Sequence, residues 1–174
     1  MSIIIAKPKS GQYPEYLETY IGRVPSNDLI HYFENQQDSV ASLAALLSEE
    51  QLMHRYAEGK WSVKDIFAHL IDSERIFNYR ALTFARGDAT ELPGFEENDY
   101  VNTANADTRS APQIIADFNA GRCSTIELFK SFDEEMLDKI GVANATARSV
   151  RAMGYAIAGH EIHHLGVIRE RYLV

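Results

Sequence analysis

The residues best placed to do chemistry lie in the run Gly159-His160-Glu161-Ile162-His163-His164. Each helical residue turns the side chain by about 100°, so His160 and His164 share a face with Met153, Ile157, Val167 and Ile168. That face is the one a bundle would bury. A buried imidazole without a partner costs about 1–3 kcal/mol, and two in successive turns call for a shared partner. One metal ion supplies it, since side chains at i and i+4 can reach the same cation.

Two ligands rarely suffice, so a third must come from another helix. His69, with Ile66, Ser73 and Ile76 on its flank, is the histidine expected to face inward. His31 and His54 have polar neighbours, and His163 points about 60° away from the pair. A single buried histidine is more often a hydrogen-bonded core residue, but an i, i+4 pair plus a third inward histidine favours metal. Three ligands leave coordination positions open, as catalytic sites do, and neutral imidazole suits Zn, Ni, Cu or Fe. Residues 160–164 also read His-Glu-x-x-His, in which Glu161 would be the water-activating base of a zinc protease. The ten residues that follow His164 hold no His or Asp as a third ligand, so proteolysis is disfavoured.

Around these residues the hydrophobic spacing predicts four long helices. The first begins near Ser26 or Asn27 and carries Leu29, Ile30, Phe33, Val40, Leu43, Ala44 and Leu47. The second starts at Ser62, which forms a capping pattern with Asp65, and runs to Ala85 with Val63, Ile66, Phe67, Leu70, Phe77 and Phe84 inside. The third runs from Ser110 to about Ser131 on Ile115, Phe118, Ile126 and Phe129, and the fourth from Ser149 to Tyr172. Residues 87–107, rich in Gly, Pro, Asn and Asp, read as a long packed loop bordering a cleft, anchored by Phe95 and Tyr100. Residues 1–25 read as an arm laid over the domain, and no strand is expected anywhere. The fold class is therefore all-α, a single four-helix bundle over 1–174 with one long crossover loop.

With 174 residues, the chain can bury about 70% of its unfolded surface without a structural metal or disulfide. The net charge of −8 disfavours nucleic acid and anionic membrane as partners. Nothing approaches the roughly 20 apolar residues of a membrane span, and the opening Met-Ser-Ile-Ile-Ile-Ala run lacks the features of a signal peptide. The lone Cys123 is expected to be a buried thiol in a reducing cytoplasm.

Trp61-Ser62-Val63-Lys64-Asp65 leading to His69-Leu70, then Arg86-Gly87-Asp88, Leu92-Pro93-Gly94-Phe95 and Ala158-Gly159-His160-Glu161-Ile162-His163-His164 before Arg169-Glu170-Arg171-Tyr172, resemble the DinB/YfiT-like proteins. The resemblance spans nearly the whole chain. It implies an up-down-down-up four-helix bundle in which His69, His160 and His164 hold a divalent metal ion, often nickel or zinc. Some relatives are S-transferases that use a low-molecular-weight thiol such as bacillithiol, mycothiol or glutathione, and one branch includes maleylpyruvate isomerase.

The expected function is a metalloenzyme acting on a small-molecule substrate, either a thiol-dependent transferase or a metal-dependent hydrolase. A metal at an open position favours thiolate or hydroxide near neutral pH. Glu161 and Asp72 are the candidates for orienting ligands or moving protons, and Arg171 for meeting an anionic substrate or thiol. Trp61, Phe95 and Tyr100 are candidates for the cleft wall. The alternative is a non-catalytic bundle that holds a metal or a ligand. Pairing into a homodimer is the assembly expected of a bundle with an apolar flank.

Overall fold

The computed structural model describes residues 4–173, so the first three residues of the expected arm lie outside it. A 3-10 turn over Glu15–Leu17 leads into α1 (Glu18–Ile21). The first bundle helix is not continuous: it is α2 (Leu29–Asn35) and α3 (Ser39–Ala44), separated at residues 36–38. Phe33 and Val40 are seven residues apart with only Glu, Asn, Gln, Asp and Ser between them, so no apolar stripe holds the middle turn together. The N-cap is Asp28, not Ser26 or Asn27; its carboxylate accepts from His31 N.

After α4 (Glu49–Met53), the second bundle helix α5 (Val63–Ala85) begins on the Ser62/Asp65 capping box. The expected loop over 87–107 contains α6 (Glu97–Ala104) and a 3-10 turn (Ala106–Thr108). Val101 is the single buried side chain of α6, so no stripe announced that helix. Phe95 meets Tyr100 ring to ring at 5.2 Å, although Tyr100 is exposed. The third helix, α7 (Ala111–Lys130), starts on the Ser110/Gln113 box. The short α8 (Glu134–Asp138) follows.

An antiparallel hairpin, β1 (Ile140–Ala143) and β2 (Thr146–Ser149), then corrects the expectation of no strands. Its turn residues Asn144 and Ala145 both have positive φ, 52° and 57°, as a tight two-residue hairpin turn demands. Gly141 lets β1 close on α5, since a Cβ there would lie 1.9 Å from Phe84 Cδ1. Two strands of four residues, burying Gly141 and Ala143 on β1 and Arg148 and Ser149 on β2, give too little apolar alternation to read. Ser149 caps α9 (Val150–Arg171), as its sequence predicts.

The bundle runs up-down-down-up. Lys64 Nζ donates to Arg109 O at 2.9 Å and Asn78 Nδ2 to Thr125 Oγ1 at 2.7 Å, so α5 and α7 advance in the same direction. Tyr172 OH donates to Trp61 O at 2.8 Å, which sets α9 antiparallel to α5. Leu29 packs at Gly154 and Ser39 reaches Glu161, so α2 and α3 run with α9. Parallel α5 and α7 are what require the long crossover.

The core separates into two apolar clusters. One gathers Phe33, Phe84, Phe129 and Tyr155; the other gathers Phe67, Phe118, Leu165 and Ile168. Between them every long helix contributes polar side chains: His69, Ser73 and Glu74 from α5, Arg122 and Thr125 from α7, and His160, Glu161 and His164 from α9. The arm covers α9: Leu29 N donates to Ile5 O, Ser149 N to Gln12 O and Tyr155 OH to Ile5 O, while Leu17, Ile21 and Val24 are buried. No helix among the described residues is long and apolar enough to cross a membrane.

Candidate metal centre

Residues 158–161 of α9 are buried all round, because α5 packs on one side and the arm on another. Gly159 makes the second contact: a Cβ there would lie 2.0 Å from Tyr20 O. On the α5 side, His69 meets the i, i+4 pair. His160 Nε2 stands 3.0 Å from both His69 Nε2 and His164 Nε2, and all three ligand atoms lie within 4.8 Å of one another. The three histidines that the sequence singled out therefore converge. His31 and His54 are exposed elsewhere, and His163 turns toward the arm, edge-on to Tyr20 at 5.6 Å.

Burial pushes the His69 pKa down to about 4 and that of His164 down to about 3, with the neighbouring imidazoles adding to the fall at His164. His160 is lowered further for the same two reasons. The cluster is thus a set of neutral imidazoles at neutral pH. As a hydrogen-bond network it is unsatisfied: the single proton or lone pair on His160 Nε2 serves one good partner, yet two nitrogens sit at 3.0 Å. As a donor set it fits one cation, since two nitrogens about 2.0–2.1 Å from a tetrahedral ion are roughly 3.4 Å apart. Ser73 Oγ stands 3.5 Å from His69 Nδ1, on the ring edge away from the other two imidazoles.

Trp61 forms one wall. Its ring lies 4.8 Å from His69 and stacks on His164 at 6.3 Å with an interplanar angle of 24°. Its Nε1 donates to Asn98 Oδ1 at 3.2 Å, which ties α6 of the crossover to the site. His164 opens onto a cleft of about 260 Å³ lined by Trp61, Tyr56, Lys60, Asn98, His163 and Tyr172 among others. A second cavity of about 470 Å³ shares Lys60, Trp61 and Asn98 and continues between Arg55, Asn102 and Thr108. The crossover does border these clefts, through residues that include Asn98 and Asn102, while Phe95 and Tyr100 pair with each other.

Glu161 faces away from the cleft: its Oε1 accepts from Ser39 Oγ and its Oε2 lies 2.6 Å from Arg122 Nη2. Asp72 is partly buried, which raises its pKa, and sits 3.6 Å from Arg75 with no bond to the histidines. Arg171 stands at the cleft rim, where Nη1 donates to Tyr56 OH at 3.2 Å and the guanidinium lies over the Tyr56 ring. Cys123 is exposed, against the expectation of a buried thiol. Its turn of α7 presents Cys123 outward while Arg122 points in.

Arg122 and Glu74 are the residues that the sequence reading missed. Arg122 is fully buried, over Phe33 and Phe118 at 4.7 and 4.9 Å, and holds Glu74 through two hydrogen bonds of 3.0 and 2.9 Å. Burial alone would lower its pKa, but Glu161 and Glu74 more than offset this, so the guanidinium stays charged. The signal was present: Arg122 is four residues from Phe118 and from Ile126, and Glu74 four from Leu70, all on buried stripes.

Residues 32–168 match the DinB superfamily. The chain belongs to that superfamily. It is 23% identical over 131 residues to a protein of Oceanobacillus iheyensis named "Putative metal-dependent hydrolase", a match covering 71% of each chain. Its fold is that of YfiT from Bacillus subtilis, described as "a probable metal-dependent hydrolase with an unusual four-helix bundle topology". That likeness has a TM-score of 0.66 and 14% identity, and covers 94% of this chain and 92% of YfiT. The likeness extends over the four-helix bundle traced above.

Proposed function

We propose that this DinB protein is a divalent-metal-dependent enzyme acting on a small molecule admitted beside Trp61, with His69, His160 and His164 as the ligands. The observation that carries the reading is the meeting of three imidazole nitrogens, one of them on His164, which lines an open cleft. The names of the Oceanobacillus protein and of YfiT support hydrolysis as the reaction class. Bound there, nickel or zinc would acidify a water or a thiol, supplying hydroxide or thiolate near neutral pH.

The chain's own groups do the rest. Burial holds the three rings unprotonated, so their lone pairs are free at neutral pH. Trp61 keeps the His69 and His164 rings in place and excludes water from one side. Lys60 and Arg171 give the cleft rim a positive character, which suits an anionic substrate or an acidic low-molecular-weight thiol. Thiol transfer is therefore the second reading. Glu161 and Asp72 have no contact with the cleft in this arrangement, so a substrate-activating base is not assigned to either.

The test is turnover. Tag-free, metal-loaded protein is offered ester, amide and lactone substrates, and separately an electrophile such as monochlorobimane with several thiols. Metal-dependent turnover that disappears in His160→Ala is the expected result. Tight metal binding with no turnover across both panels would replace the enzyme with a metal- or ligand-binding bundle.

A further inference from the structure

The polar layer beneath the histidines carries an odd charge. Arg122 and Glu74 form a doubly hydrogen-bonded pair: Nε donates to Oε1 at 3.0 Å and Nη2 to Oε2 at 2.9 Å, while Thr125 Oγ1 donates to Oε1 at 2.5 Å. That pair is formally neutral, and Arg122 Nη1 is left without a hydrogen-bond partner among the described residues. Yet Glu161 is also buried, with 2% of its surface exposed, in the residue directly after His160. Its Oε2 approaches Arg122 Nη2 without hydrogen-bond geometry, and no other side chain among the described residues donates to that oxygen. Counted formally, two carboxylates against one guanidinium leave −1 in this layer.

A buried ion without full compensation costs several kcal/mol. The nearby cations do not supply that compensation: Arg169 lines the cavity beside Ser39, but it is exposed and stands with the exposed Asp38. Toward α5, His160, Glu161, Glu74 and Arg122 line the same narrow gap, so the excess charge borders the histidine cluster through packed, low-dielectric protein.

We infer that Glu161 is an electrostatic positioning residue for the metal centre, its surplus negative charge being balanced by a divalent cation on His69, His160 and His164. This rests on the metal reading above and adds to it a reason for the acid. Three neutral imidazoles give a bound divalent ion no charge compensation of their own. Glu161 does so from behind the ligands, leaving the cleft side open to substrate. The metal-free fold bears an uncompensated carboxylate, and binding of the ion removes that penalty.

The test measures Zn²⁺ affinity by competition with a chromophoric chelator, together with the melting temperature of the metal-stripped protein. Glu161→Gln keeps the acceptor for Ser39 and removes the charge. It should weaken Zn²⁺ binding about 10- to 100-fold, the usual span for outer-shell partners, while the metal-free melting temperature stays level or rises. A merely structural role cannot move the two readouts in opposite directions. Glu74→Gln removes the same unit of charge from the same layer at a residue not adjacent in sequence to a ligand, and should weaken binding in the same sense. Affinity within about threefold of wild type in Glu161→Gln overturns the inference, as does weaker binding with a lower metal-free melting temperature. Should Glu161→Gln fail to fold, an unchanged affinity in Glu74→Gln overturns it instead. Wild type that binds neither Zn²⁺ nor Ni²⁺ would overturn the metal reading itself, a result distinct from equal binding by the variants.

Discussion

Two glycines in long helices should answer the same substitution with opposite signs. A Cβ at Gly159 would meet backbone of the arm: Tyr20 O at 2.0 Å, Tyr20 C at 2.3 Å and Tyr20 Cα at 2.9 Å. Restoring contact to about 3.4 Å requires the arm to retreat by roughly 1.4 Å. The obstacle cannot rotate away, because Tyr20 O already accepts from Arg23 N at 3.0 Å and the segment is anchored by buried Leu17, Ile21 and Val24. Overpacking of this kind costs about 1–3 kcal/mol, and rigid backbone puts Gly159→Ala at the upper end. Alanine's better helix propensity returns about 1 kcal/mol. The net loss is about 2 kcal/mol, which for a chain of this size lowers Tm by about 4–8 °C. Gly121 on α7 has no atom within 4 Å of its would-be Cβ, so Gly121→Ala should gain about 0.5–1 kcal/mol and raise Tm by about 1–4 °C. Thermal denaturation followed by circular dichroism reads both. Equal shifts in the two variants, or a higher Tm in Gly159→Ala, would refute the close seating of the arm on α9.

Other consequences concern the polar layer. Arg122→Met leaves Glu74 and Glu161 buried without their cation and should cost about 3–5 kcal/mol in urea denaturation; a loss below about 1 kcal/mol would mean that the acids are not both charged. In metal-free protein, His69 titrates near 6.5 unfolded and near 4 folded, so the unfolded chain binds the extra proton between these values. Stability is therefore full above about pH 6.5 and falls as the pH drops toward 4, by about 3 kcal/mol for His69 alone. His69→Asn should lessen the pH slope of the urea midpoint across this window, to which His160 and His164 also contribute, and an unchanged slope would show that the ring is not held neutral.

Much of this site could be read from residue spacing, because helical phase is local. The i, i+4 step fixed His160 and His164 on one face, and the flank position of His69 brought it inward. The Ser62, Ser110 and Ser149 caps fixed three helix starts for the same reason, since each is settled within four residues. What was missed depends on contacts across the chain. The break at residues 36–38 follows from a polar interval whose effect shows only once Ser39 is seen to reach Glu161. The hairpin is set by Gly141 against Phe84, and α6 by Asn98 against Trp61. Cys123 is exposed because the stripe through Phe118, Arg122 and Ile126 puts it on the outer side of α7. A charged residue on that stripe was readable, but its two acids come from α5 and α9.

The convergence of three imidazoles on one cation is tested most directly by crystals of tag-free protein loaded with zinc or nickel, with anomalous data at the metal edge. The expected map has one peak per chain, bonded to Nε2 of His69, His160 and His164, and none in His160→Ala. A loaded crystal with no peak among these rings, or with the ion held elsewhere, would contradict the account.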